Sequence, residues 1–147
     1  MENRKLDQNY LKTLTVLYAE DEEDARKQIS QFLSRIVGKL ITTANGAEGL
    51  EAFTTHSPDI VITDIRMPEM DGLTMAREIR KIDPKVPIVA LTAFEETDYM
   101  MSAINVRVTR YIVKPVSSDL LLDGLIECAR RLRDEMQSER LLAVRHG

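Results

Sequence analysis

Apolar residues in this 147-residue chain fall into short β-branched runs, alternating with segments where they recur every three or four positions. Leu14-Thr-Val-Leu-Tyr-Ala19 is the first run and reads as a buried strand. Ala25, Ile29, Phe32, Leu33 and Ile36 then mark one face of a helix closed by Gly38. Leu40-Ile-Thr-Thr43 is a second strand, and Ala44-Asn-Gly46 turns into a helix carrying Ala47, Leu50 and Phe53 on one side. Ser57-Pro58-Asp59 stops that helix, and Ile60-Val-Ile-Thr63 is the third strand. Leu73 to Lys81 reads as a helix with Leu73, Ala76 and Ile79 inward, ended by Asp83-Pro84. Val86 to Leu91 is the fourth strand, Thr97 to Ile104 a weaker helix, and Tyr111-Ile-Val113 the fifth strand. From Ser117 onward the pattern is helical.

Strands alternating with helices imply βαβ units, hence an α/β fold with a doubly wound, five-stranded parallel sheet and helices on both faces. Right-handed crossovers leave few topologies, and the order 2-1-3-4-5 is the natural one for five such units. Strands 1 and 3 then flank the switch point, and ligands bind there, outside the carboxyl ends of the strands.

Composition narrows the class without locating a site. Hydrophobic residues make up 44% and charged residues 30%, the proportions of an ordinary globular domain. The 20 basic residues against 24 acidic ones give a net charge of −4, which argues against a nucleic-acid backbone binder. A single cysteine, Cys128, excludes an internal disulfide and reads as core filler. No apolar run is long enough for a membrane span, and Met1 to Thr13 lacks the apolar core of a signal peptide. A cytoplasmic domain is expected, with no membrane and no direct nucleic-acid contact.

Charge is unevenly spread, and that changes the picture. Glu20, Asp21, Glu22, Glu23 and Asp24 are consecutive acids directly after the first strand. Glu22 to Asp24 suit the first turn of a helix, where the dipole favours negative charge. Glu20 and Asp21 stand where the strand ends. The other strand ends deliver Asp64, Thr92 and Lys114, the last before Pro115. Taken singly, an Asp after a strand is commonly a cap, a Thr in a turn a local hydrogen bonder, and a Lys before Pro a solvated loop residue. Together they would converge on one spot. Crowded carboxylates raise each other's pKa, and a hard cation removes that cost. Magnesium prefers oxygen ligands, usually carboxylates with phosphate oxygens and water. A lysine and a hydroxyl then suit phosphate oxygens, so the set fits a phosphoryl group on or beside a carboxylate.

These residues resemble the receiver domain of two-component response regulators, chemotaxis-receiver-like with a flavodoxin-like fold. The resemblance runs from about Leu11 to Arg131. It is carried by Val16-Leu-Tyr-Ala-Glu-Asp21, Asp59-Ile-Val-Ile-Thr-Asp64-Ile-Arg-Met-Pro68-Glu-Met-Asp-Gly72, Ile88-Val-Ala-Leu-Thr92-Ala93 and Tyr111-Ile-Val-Lys114-Pro115. Asn45-Gly-Ala-Glu-Gly-Leu50 fits the start of the second helix. The resemblance implies that Asp64 accepts a phosphoryl group from a histidine kinase or phosphotransfer protein. It implies that Asp21 and Asp64 bind magnesium (or manganese), with Glu20 helping through water and the Arg66 backbone carbonyl a further ligand. Lys114, Thr92 and the amide of Ala93 would contact the phosphate, and Lys114–Pro115 would be cis. Tyr111 would be the aromatic that turns inward when Thr92 moves. The signal would leave through the fourth predicted helix, fifth strand and fifth helix, also a face for a homodimer. Such a domain catalyses only its own phosphorylation and dephosphorylation.

Departures from the family pattern are visible. Glu20 replaces the commoner aspartate, and Arg107-Val-Thr-Arg110 replaces a Gly-Ala turn, removing easy access to positive φ. Arg66 and Phe94 stand two residues beyond Asp64 and Thr92, where they would border the phosphate. An aspartyl-phosphate phosphatase needs a second Asp two residues after the first, where Arg66 stands. A degenerate, phosphorylation-independent docking module is opposed by the presence of Glu20, Asp21, Asp64, Thr92 and Lys114 together.

The stripe Leu121, Leu125, Cys128, Leu132 and Met136 continues past the length the sheet can cover. The expected division is therefore a polar N-terminal tail over 1–10, a receiver over 11–131, and a helical extension or linker over 132–147. That extension would lead to an output module outside this chain, or pair with a second copy.

Overall fold

Residues 2–93 and 105–146 are described by a computed structural model; Phe94 and the helix expected over Thr97–Ile104 lie outside them. The chain runs α1 (Glu2–Leu11), β1 (Thr15–Ala19), α2 (Glu23–Ile36), β2 (Lys39–Thr43), α3 (Gly46–His56), β3 (Ile60–Asp64), α4 (Gly72–Ile82), β4 (Ile88–Thr92), β5 (Arg110–Val113) and α5 (Ser118–His146). The five strands pair in parallel in the order β2-β1-β3-β4-β5, as the alternation of patterns predicts.

Alternate strand residues point to opposite faces, and each face finds a different cover. Val16, Tyr18, Ile60, Ile62, Val89, Leu91 and Ile112 pack with Leu33 of α2 and Leu125 and Cys128 of α5. Leu17, Ala19, Val61 and Ile88 pack with Phe53 of α3 and Met75 and Ile79 of α4. With both faces covered, β3 and β4 are buried along their whole length, the reason they read as unbroken apolar runs. Cys128 is fully buried there, and burial pushes its thiol up to about 12, which keeps it protonated. Among the described residues no helix is long and apolar enough to cross a membrane.

Helix starts follow local chemistry. Asn45 Oδ1 accepts from the Glu48 amide at 2.9 Å, while Glu48 Oε2 accepts from the Ala44 amide at 3.0 Å. Asp71 caps α4 by accepting from the Thr74 amide at 2.7 Å. Lys114–Pro115 is cis.

The N-terminal segment corrects an expectation. Residues expected as a polar tail form helix α1, which lies against α5. Leu11 is fully buried in the α2–α5 core, and Asp7 is fully buried as well. The Asp7 carboxylate accepts from Arg130 Nε at 3.1 Å and from Arg133 Nη1; Arg4 reaches Asp123 at 2.9 Å. The partners that make this segment a helix lie more than a hundred residues away, so its own polar pattern could not announce them. Packing on α5 also continues past Arg131, since Leu132 joins the core and Arg133 holds Asp7.

Candidate metal and phosphoryl-acceptor site

Three backbone features deliver side chains to the carboxyl end of the sheet. Strand β1 ends at Ala19, so Glu20 and Asp21 begin the turn into α2; β3 ends on Asp64 itself; β4 ends on Thr92. Register brings Asp64 opposite Leu91 and Thr92 opposite Val113, one residue before Lys114. Arg26 of α2 braces the first turn, its Nη1 donating to the Glu20 carbonyl at 2.8 Å. The strand-end pattern gives Arg26 no role, although its place one helical turn after Glu22 is a usable signal. Gly72 lets α4 start directly under β3, because a Cβ there would run into the Asp64 carbonyl oxygen. Its amide donates to the Ile65 carbonyl at 2.7 Å.

Carboxylate oxygens of Glu20, Asp21 and Asp64 lie within 4.8 Å of one another. Glu20 and Asp64 are buried and Asp21 is exposed, so the cluster opens to solvent on the Asp21 side. Lys114 Nζ lies 2.9 Å from Asp64 Oδ1 and 3.9 Å from Glu20 Oε1. Among the described residues one ammonium thus pairs with two of these three clustered carboxylates, an arrangement short of positive charge. Glu20 registers that shortage: burial first, and then the Asp64 charge, push its carboxyl up to about 7 despite Lys114. Its Oε1 is buried without a hydrogen-bond partner, and the buried hydroxyl of Tyr18, two residues earlier, lies close to the Glu20 carboxyl. Burial, helped by the charges of Glu20 and Asp64, pushes the Tyr18 phenol upward, so it stays neutral. Buried polar groups are normally satisfied, and three oxygen donors with an orphaned buried oxygen fit a hard divalent cation.

Other residues singled out from the sequence take less defined places. Thr92 is buried at the end of β4, its hydroxyl donating to the Ala93 carbonyl at 3.2 Å. Tyr111 is half-buried and packs against the small cluster of Ile65, Leu73 and Ala90. Arg66 is exposed, two residues past Asp64. Glu20, Asp21, Asp64 and Lys114 are thus brought into one cluster, with Thr92 at the neighbouring strand end.

Known proteins share this sequence pattern and fold. The family model for the response regulator receiver domain matches residues 16–126. Chemotaxis protein CheY of Bacillus subtilis is 34% identical over 111 residues, which are 75% of this chain and 92% of that protein. An uncharacterized response regulatory protein of Vibrio cholerae is 36% identical over 129 residues, covering 85% of this chain but 47% of its own length. This chain therefore spans about half of that longer relative. A receiver domain structure from Clostridium thermocellum superposes with a TM-score of 0.76 at 30% identity, covering 82% of this chain and 97% of that one.

Proposed function

The chain belongs to the response regulator receiver domain family, and from that premise we propose that it is a signalling domain operated by phosphorylation of Asp64. The observation that carries this reading is the contact between Lys114 Nζ and Asp64 Oδ1 at 2.9 Å, beside two further carboxylates. Glu20, Asp21 and Asp64, with the Arg66 carbonyl, would hold magnesium or manganese. When bound, the cation supplies positive charge against the phosphoryl oxygens.

The chain's own residues do the rest. An Asp64 oxygen attacks the phosphorus of a phosphohistidine on a histidine kinase or phosphotransfer protein. The phosphorus–nitrogen bond breaks, and the departing imidazole takes up a proton. Such transfer is mostly positioning and charge neutralisation, which a fixed carboxylate, an ammonium and a hydroxyl provide. Lys114 follows the new phosphoryl oxygens as a point charge, and Thr92 turns its hydroxyl from the Ala93 carbonyl toward them. The amide of Ala93 donates beside it. Tyr111 packs further inward behind Thr92, which shifts a two-state equilibrium on the surface of β5 and α5. The chemistry performed is confined to the domain's own phosphorylation and dephosphorylation. The signal passes to an output module or a second copy of the domain, and the setting is the cytoplasm, where the donor kinase presents its phosphohistidine.

Intact-mass measurement after incubation with a small acyl phosphate and Mg²⁺ tests this. One phosphoryl group is expected on the wild type, and none on Asp64→Asn or after removal of metal with a chelator. Equal labelling of the Asn variant would overturn Asp64 as the acceptor.

A further inference from the structure

The opposite end of the sheet carries a feature that phosphorylation of Asp64 does not use. Strands β4 and β5 begin there, and α4 ends beside them. A concavity of about 310 Å³ is lined by Arg77, Arg80, Lys81, Asn105, Val106 and Arg107. Four of these six residues are cationic and none is acidic, in a chain whose net charge is −4.

Arg80 is the built part of this surface. Its Nε donates to the Val106 carbonyl at 3.0 Å, Nη1 to the Val86 carbonyl at 2.5 Å and Nη2 to the Arg107 carbonyl at 2.9 Å. These bonds fix the guanidinium plane and stitch α4 to the segments leading into β4 and β5. Arg107 sits in the left-handed region at φ 62°, a conformation that is strained for a residue other than glycine. This is the stretch in which the family's usual glycine is missing. Burial and the adjacent Arg107 charge both work against the cationic form of Arg80. Two guanidiniums are therefore held near each other, and among the described residues no carboxylate lines the space between α4 and residues 105–107.

An ordinary structural role covers only part of this. Arg80 and Lys81 occupy the last turn of α4, where the helix dipole favours cations. Lys81 is also paired with Glu78 at 3.0 Å, and Asp83 lies near Arg80 while its carboxylate accepts from the Lys85 and Val86 amides. Neither account reaches Arg77, one turn earlier, or Arg107, on another segment at a strained φ. Arg77 and Lys81 are moreover like charges at i,i+4 spacing, which is unfavourable without a counter-ion.

We propose that this concavity is an anion site for a small molecule bearing a diphosphate group. Guanidiniums suit this chemistry because their planar forks bind phosphate oxygens in pairs. Arg77 and Arg107 supply exposed forks from two sides, and Arg80 the fixed floor. The volume lies at the small end of ligand pockets, enough for a diphosphate with its attached group extending into solvent. The site is separate from Asp64 and independent of the phosphoacceptor reading.

Titration of the metal-free chain with inorganic pyrophosphate and with ADP, at physiological salt, tests the proposal. Saturable binding is expected for both, mapped by chemical-shift changes to α4 and residues 105–110. Arg77→Gln combined with Arg107→Gly should weaken it about tenfold or more, whereas Lys114→Ala should leave it unchanged. Glycine at 107 accepts the positive φ without a Cβ, so this variant keeps the fold, which its melting curve checks. Binding of ADP but not pyrophosphate would still support the site and assign it to nucleotides; pyrophosphate alone would assign it to the free anion. Unchanged affinity in the Arg77/Arg107 variant, loss with Lys114→Ala, or binding of an acidic peptide in place of both probes would overturn it.

Discussion

Asp7 of α1 and Glu20 after β1 are both carboxylic acids removed from water, with relative exposures of 0% and 1%. Asp7 is met by two guanidiniums, those of Arg130 and Arg133. Glu20 has one ammonium at 3.9 Å, shared with Asp64, and an oxygen with no hydrogen-bond partner. The charge of Asp7 is balanced within the chain; that of Glu20 is not. A buried charge that is fully paired has nothing further to bind, and it fixes two helices in place. A buried charge left short of partners is costly to the free protein, and it becomes favourable only when something positive arrives. The same residue chemistry thus builds a latch at one place and a binding site at the other.

Breaking the latch should have the largest effect on stability, and the two ways of breaking it should differ. Arg130→Ala with Arg133→Ala leaves the Asp7 carboxylate buried without its partners, and we expect a loss of about 3–5 kcal/mol in urea unfolding. Asp7→Asn leaves two arginines that can turn outward, since Arg130 is already half exposed, with its side chain 53% accessible. Its cost should be smaller, about 2 kcal/mol. A larger loss from Asp7→Asn than from the double variant would show that the carboxylate is not the group that depends on the pairing.

Removing the less fully paired acid should act in the opposite direction. The Glu20 carboxyl is raised to about 7 in the folded chain, from 4.5 for an unstrained glutamate. Between those values the unfolded chain releases its proton first, so stability falls as pH rises from about 4.5 and the loss is complete just above 7. Glu20→Gln should therefore stabilise the metal-free protein at pH 8, by on the order of 1–3 kcal/mol, and give little at pH 4. Added Mg²⁺ should stabilise the wild type more than the variant. Thermal melts at both pH values, with and without the metal, check all of this; a variant less stable than wild type at pH 8 would remove the contrast with Asp7.

The two carboxylates also differ in how visible they are in the chain. Glu20 follows an apolar run that stops abruptly, and Asp64, Thr92 and Lys114 end runs of the same kind, so strand periodicity alone brings the site together. Its partners are placed by the sheet, whose register follows from which residues are apolar. Asp7 lies in Glu2–Leu11, a segment whose apolar residues make no strong stripe, and its partners are Arg130 and Arg133, which read as surface charge on a long helix. Pairing across 123 and 126 residues leaves no local periodicity to detect. The stretch Arg107–Arg110 is legible in a different way: it replaces a Gly-Ala turn and so gives up easy access to positive φ, yet Arg107 adopts a φ of 62°. Which cations would gather around it depended on the end of α4 and the start of β5 meeting, which only the fold decides.

The smallest effect is expected where α5 leaves the domain. Side chains of residues 134–144 are exposed, including Leu141, Leu142 and Val144 at 66%, 55% and 79%. Ending the chain after Asp134 keeps Leu132 in the core and Arg133 on Asp7, so stability should change by no more than about 0.5 kcal/mol. Ending it after Arg131 removes both contacts, the second of them half of the Asp7 pairing, and should cost about 2 kcal/mol or more. If the exposed leucines serve to pair two copies, the shorter cut alone will weaken self-association of the phosphorylated protein in sedimentation while leaving the unfolding midpoint in place. Sedimentation that is the same for the full chain and both truncations, in both phosphorylation states, would leave the latch as the only task of this helix beyond the sheet.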